Sequence, residues 1–295
     1  MPLFLGFLGV LAFSFTLPAT RVAVDGLDAT FVGIGRTVAA AALAAAYLAW
    51  RREPLPTRDQ VRRLALVALG VVLGWPLLSA LALRDLPSAE AAVIAGLLPA
   101  ATAVAAVARA GERPSRGFWV ASAAGLVAVL AFAASQGAGV PRGGDWLVLA
   151  AVALASLGYA EGAVLTPEMG GRRVISWALV LALPVTLPVT ALTMAGGVGE
   201  GNSADWLCFA YVAIISQFLG FFPWYAGLAR GGVAKIGQTQ LAQPLLTLVW
   251  SAFLLGESIE AATLVAATGV VFSVAATQRA RVERGRQGPL LASGP

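Results

Sequence analysis

Ten long apolar stretches, at residues 2–20, 29–50, 64–83, 88–109, 118–136, 146–166, 174–196, 206–229, 233–255 and 261–277, leave little of this chain for anything but membrane-spanning helices. Each is near the ~20 residues that a helix needs to cross a bilayer. The gaps are short and marked by Gly and Pro, as at 111–117, 137–144 and 196–201, so no extramembrane domain fits between them. Composition agrees, with 59% hydrophobic and 12% charged residues, against roughly 25% charged in a soluble domain. The expected fold class is all-α: a polytopic bundle of ten transmembrane helices.

Charge fixes the expected orientation. Of the 20 Lys and Arg, three (Arg21, Arg84, Arg142) fall in odd-numbered gaps and one (Arg36) inside a span, which leaves 16 in the even gaps and the tail. Because basic loops stay on the cytoplasmic side, both termini are expected in the cytoplasm. The net charge of +5 is then explained by topology and by anionic lipid, and nucleic acid is not an expected partner. A lone Cys208 and the lack of histidine offer neither an internal disulfide nor a metal site. No cofactor is expected. The first stretch has no basic region before it and no small-x-small cleavage site, so it reads as a retained helix and not a signal peptide.

An internal repeat is visible. Leu98-Pro99 precedes Gly111-Glu112 as Gln243-Pro244 precedes Gly256-Glu257, at a common offset of 145, and Gly125 and Gly269 follow one residue out of step. Residues 1–140 and 141–278 are the two expected halves, and 279–295 a basic tail expected to be disordered. Five spans per half, an odd number, make the second half enter from the opposite side, the inverted repeat of many transporters. A duplication kept only for packing would explain the repeat but not the polar residues inside the spans.

These motifs, with Gly33-Ile34-Gly35-Arg36 and the run Tyr225 to Gly232, resemble the paired EamA repeats of the drug/metabolite transporter superfamily over nearly the whole chain. The segments 73–83 and 238–244 further resemble exporters of the YddG amino-acid type. The resemblance implies ten helices around a central cavity, alternating access, and export of a small metabolite to the periplasm. One departure stands out: the family's Trp-Gly-Ser run in the first span is here Phe13-Ser14-Phe15-Thr16, so contacts from that helix are not carried over.

The residues themselves locate a site at mid-depth. Pro99 and Pro244 lie at the middles of the fourth and ninth spans, where each frees a backbone carbonyl. Such a defect is tolerated in a bilayer only where protein or a wet cavity satisfies it. Both are candidate hinges, and the freed carbonyls candidate ammonium acceptors, with improved packing as the plainer reading. Gln240, Gln243 and Thr247 share one helical face and suit a zwitterion, or equally interhelical hydrogen bonding. Gln217, central in the eighth span, adds a polar group, and Gln238 a weaker one. Trp75 with Ser79 offers a wall in the third span, whereas Tyr159 points to another face from Glu161.

Charges inside spans are the sharper clue, since each costs about 2.5–3.5 kcal/mol at a helix centre. Glu161, displaced toward the expected cytoplasmic side, is either a substrate or proton-coupling site or a structural carboxylate partnered by Lys235 or Arg230. Arg36 is expected to be structural, reaching the interface or capping carbonyls, and Lys235 to serve topology. Trp50, Trp119 and Trp177 at one level and Trp146 and Trp206 at the other form an aromatic belt.

The function expected is that of an inner-membrane secondary transporter exporting amino acids or related metabolites, or another metabolite or drug. Without a phosphate-binding loop the chain holds no ATP, so transport is facilitated or ion-coupled. An intramembrane enzyme lacks support, there being no histidine, no HExxH and no GxSxG; a scaffold is the remaining alternative.

Overall fold

The computed structural model describes residues 1–86, 88–135, 143–255 and 261–283. Gln136, residues 137–142 with Arg142, the Gly256-Glu257 pair of the second repeat motif, and the tail from Arg284 onward, Arg286 included, lie outside the described residues.

Helices dominate: α1 (Pro2–Gly26), α2 (Phe31–Trp50), α3 (Arg58–Ala82), α4 (Ser88–Ala95), α5 (Leu98–Ala110), α6 (Arg116–Ser135), α7 (Gly143–Met169), α8 (Gly171–Gly196), α9 (Ser203–Gly231), α10 (Val233–Gly237), α11 (Gln243–Leu255) and α12 (Ala261–Arg279). Among the described residues six of them, α1, α2, α3, α7, α8 and α9, are long and apolar enough to cross a membrane. Large apolar side chains such as Leu69, Val104, Val120, Leu192 and Phe272 are exposed on the outside, while Gln217, Gln238, Gln240 and Gln243 are buried within. That inversion of the soluble pattern suits a lipid exterior.

The helices differ from the apolar stretches in three informative ways. First, α3 begins at Arg58, six residues before the stretch at 64, because Thr57 and Gln60 form a reciprocal capping box. Arg58, Arg62 and Arg63 are therefore helical and not loop residues. Second, the two expected proline-centred helices are broken. The fourth stretch divides at Gly96-Leu97 into α4 and α5, with Pro99 as the second residue of α5, where no N–H is needed. The ninth divides into α10, a tighter 3-10 segment Gln238–Ala242, and α11. The two breaks meet: Gln238 Nε2 donates to the Pro99 carbonyl at 3.2 Å, and both prolines are buried. Third, beyond the last apolar stretch β2 (Val282–Glu283) pairs antiparallel with β1 (Arg113–Pro114).

Close helix crossings depend on glycine. A Cβ on Gly70 of α3 would strike the Leu154 carbonyl and Gly158 of α7, and one on Gly227 of α9 would strike Gly6 of α1. Small residues at a crossing let backbones approach in lipid, where no hydrophobic force drives association. Gly125 and Gly269, the repeated glycines, face Ser273 and Ala128 across the α6–α12 contact.

The two ends of the bundle carry opposite character. One, the basic end, gathers Met1, Arg172 and Arg230 around a single pocket, and the Arg113 strand with the end of α12. The far end holds Asp28, whose N–H reaches the Val198 carbonyl at 2.9 Å, and the Asn202–Asp205 capping box of α9.

Candidate functional site

Near mid-length of the helices lies a chamber lined by Phe13 and Thr16 of α1, Val71 and Trp75 of α3, Tyr159 of α7, Ser216, Gln217 and Phe221 of α9, and Gln243 of α11. Its volume is about 10 Å³, room for one water molecule. Aromatic rings seal the side toward the basic end: Phe13 stands 5.0 Å from Phe221, and Tyr159 5.3 Å from Trp224.

Irregular helix builds this chamber. Residues Ala68–Gly74 of α3 and Val212–Leu219 of α9 both wind as wide i→i+5 turns, which frequently mark functional sites. Gln217 from the second donates through Nε2 to the Val71 carbonyl of the first at 3.0 Å. Thr37 of α2 donates to the adjacent Val72 carbonyl at 2.9 Å. Thr16 and Ser216 share a hydrogen bond of 2.7 Å across α1 and α9.

Of the residues singled out in the sequence, Trp75, Gln217 and Gln243 line the chamber, and Gln243 Oε1 finds no donor among the described residues. Four others are brought near but used differently. Ser79 donates to the Pro76 carbonyl of its own helix at 3.3 Å. Gln240 accepts from Thr102 at 3.4 Å, and Gln238 bonds Pro99. Thr247, expected on the Gln243 face, donates to the Ser14 carbonyl of α1 at 2.7 Å and so ties two helices together. The expected stripe is thus divided in use, with Gln243 at the chamber and Gln240 and Thr247 bonded to other helices. Sequence reasoning set aside Phe13 and Thr16 and gave Tyr159 little weight; all three line the chamber.

Glu161 sits apart, at the basic end, with 2% of its side chain exposed. Its Oε1 accepts from Arg63 Nε at 2.6 Å, and its Oε2 from Arg109 Nη2 at 2.6 Å and Nε at 2.8 Å. Arg63 also reaches Glu168 at 3.1 Å. The partners are thus two arginines read from the sequence as topological charges, not Lys235 or Arg230. Lys235 instead donates to the Gln278 carbonyl at 2.9 Å, and Gln278 returns a bond to the Lys235 carbonyl at 2.7 Å. Both oxygens of the Glu161 carboxylate, which the sequence offered as a solute- or proton-binding group, thus accept from guanidinium donors. The one signal that would have found Arg63 is the Thr57–Gln60 cap, which moves it into the helix.

Glu112, from the first repeat motif, is buried and accepts the backbone N–H groups of Val233 and Ala234 at 2.6 and 2.8 Å. Arg173 and Glu53 pair at 3.1 Å nearby. Trp50, Trp119, Trp146 and Trp206 are exposed as a belt requires, but Trp177 packs against the core. No group of His, Cys, Asp and Glu among the described residues could hold a metal ion.

A bundle of long apolar helices whose polar groups converge on an interior chamber, with ion pairs gathered at one end, has the form of a multi-pass membrane protein. Comparison with known proteins agrees: residues 1–134 and 142–278 each match the EamA-like transporter family, and the chain belongs to that family within the drug/metabolite transporter superfamily. It is 44% identical over 274 residues to the uncharacterized transporter YdeK of Bacillus subtilis (strain 168), covering 93% of this chain and 96% of that protein. It is also 24% identical over 127 residues to the uncharacterized transporter YcbK of the same organism, 42% of this chain and 41% of that one. A solved crystal structure shares the fold at a TM-score of 0.75 and 19% identity, over 94% of this chain and 98% of the other.

Proposed function

We propose that this protein exports amino acids or related small metabolites from the cytosol by alternating access, using the halves 1–140 and 141–278 as inverted five-helix units. The observation that carries this reading is the position of the chamber on the seam between the halves: Thr16, Val71 and Trp75 come from one, Tyr159, Ser216, Gln217 and Gln243 from the other. Rocking one half against the other would open the chamber to one side or the other without breaking either half. The clamp of Arg63 and Arg109 on Glu161 crosses the same seam, so we assign it to closure of the basic end. By the positive-inside bias that end is cytoplasmic, with both termini there.

Within the chamber, Gln243 offers an uncharged acceptor to a solute ammonium, and Trp75, Phe13 and Phe221 an apolar wall to its side chain. Pro99 and Pro244 are the hinges of the reading. Glu161 serves the closed state. The aromatic wall also favours a second reading, export of an apolar metabolite or drug.

The test is counterflow of a labelled amino-acid panel, with apolar drugs alongside, in proteoliposomes of wild type and Gln243→Ala. Amino-acid exchange above empty vesicles, reduced by Gln243→Ala, is the expected result. Exchange of drugs alone would replace the amino-acid assignment by the second reading, and no exchange of any solute would remove both.

A further inference from the structure

Arg36 is a fully buried cation with almost nothing to bind. Its side chain has 0% exposure, and its one hydrogen bond is a long contact of 3.4 Å from Nη1 to Thr20 Oγ1. Nε and Nη2 have no acceptor among the described residues, and none of the ion pairs found there includes it. Among the described residues the side chain neither reaches the surface nor caps a carbonyl, the two structural uses expected of an arginine at this depth.

The identity of the unused atoms is informative. Nε–H and the neighbouring Nη2–H form the parallel edge of the guanidinium, the edge that grips both oxygens of a carboxylate. Their setting adjoins the chamber. Thr20, which touches Arg36, stands four residues of α1 beyond Thr16, about 6 Å along the axis, and Thr16 lines the chamber. Thr37, the next residue after Arg36, bonds Val72, which neighbours chamber-lining Val71. A desolvated cation is ordinarily paired, and here the residue that its guanidinium touches, Thr20, lies one turn beyond the chamber wall.

We propose that Arg36 is the receptor for a carboxylate on the transported solute, engaged through Nε and Nη2 when the chamber expands. This deepens, and rests on, the export reading above: it limits the solutes to carboxylate-bearing ones and gives the far-end side of the chamber the acid-recognising role. Gln243, at the chamber itself, is then left to the uncharged or cationic part.

The experiment has a binding arm and a transport arm. In detergent, thermal unfolding of wild type, Arg36→Gln and Arg36→Lys is followed with amino acids, their carboxamides, inorganic phosphate and chloride at matched ionic strength. A carboxylate at ten times its Kd should raise the wild-type midpoint by about 2 °C. The carboxamide should not, Arg36→Gln should lose the rise, and Arg36→Lys, which keeps the charge without the fork, should keep only part of it. In proteoliposomes, Arg36→Gln should lower flux of the acid about tenfold or more, equal to ~1.4 kcal/mol or more, and erase preference over the amide. An equal rise for acid and amide, a rise with phosphate alone, or a full carboxylate rise in Arg36→Gln would overturn the assignment. Should Arg36→Gln fail to fold, a full rise in Arg36→Lys would overturn it too. A carboxylate rise that depends on Arg36 while no carboxylate crosses wild-type vesicles would instead overturn the export reading and leave an anion-binding site.

Discussion

The Glu112 carboxylate accepts the Val233 N–H at 2.6 Å, so an acid that ends one helix of the first half caps the start of a helix in the second. Gly111 makes this geometry: it terminates α5 in the left-handed region, φ 64°, and turns the chain so that Glu112 faces Gly232-Val233. The start of α10 gains an anion at its positive end and partners for two orphan N–H groups.

Glu112→Ala is therefore expected to destabilise the protein by about 2 kcal/mol, the upper part of the range for a lost cap, and Glu112→Gln by less, since the amide still accepts. Unfolding in detergent checks the order Ala below Gln below wild type. Equal stabilities of Ala and wild type would remove the capping role.

The clamp on Glu161 makes a different prediction. Glu161→Gln loses the charge that draws Arg63 and Arg109 together across the seam. Breaking a buried pair costs on the order of 3 kcal/mol, less here because Arg109 is 41% exposed. With Cys208→Ser and Ser216→Cys in the background, a membrane-impermeant maleimide added on the face of the basic end should label Ser216→Cys about tenfold faster when Glu161→Gln is present, the equivalent of ~1.4 kcal/mol in the opening equilibrium. Unchanged labelling would mean that the clamp does not close that end.

Hydropathy marked where apolar chain lies, and the helices follow those stretches because apolar helix is what a bilayer accepts. It said little about their ends. Arg63 was assigned to a loop because its own neighbours are polar, although the cap at Thr57 starts the helix before it. Trp75, Gln217 and Gln243 were legible because polar or bulky residues at mid-depth need a reason. Tyr159 and Thr16 were not, since an aromatic or a threonine on an apolar helix usually packs. Glu161 was found by its charge, but its partners lie 98 and 52 residues away, a pairing that spacing along one helix cannot reveal.

The α3–α7 crossing yields a prediction about size. A Cβ at Gly70 would meet backbone, the Leu154 carbonyl and Gly158 Cα, and backbone does not swing aside as a side chain tip does. Gly70→Ala should destabilise by about 1–3 kcal/mol, as overpacking does, even though alanine is the better helix former. Gly143→Ala, where nothing lies within 4 Å, should be neutral or slightly stabilising. Comparison of unfolding midpoints in one detergent decides; a neutral Gly70→Ala would mean the helices can separate without loss.

The two chamber glutamines should separate cleanly when each is replaced by methionine, which keeps much of the shape and removes the amide. Gln217 satisfies the Val71 carbonyl, whose i+5 partner in the wide turn is Pro76 and has no N–H, so Gln217→Met leaves a buried acceptor bare, at about 1–3 kcal/mol. Gln243 has a buried Oε1 without a donor, so Gln243→Met removes an unsatisfied group and should leave stability unchanged or raise it. Solute affinity should respond in the opposite sense: Gln243→Met weakens it several-fold in counterflow because the open acceptor is gone, while the fraction of Gln217→Met that remains folded binds more nearly as wild type. Stability lost in both variants, with affinity unchanged in Gln243→Met, would assign both amides to the fold and none to the solute.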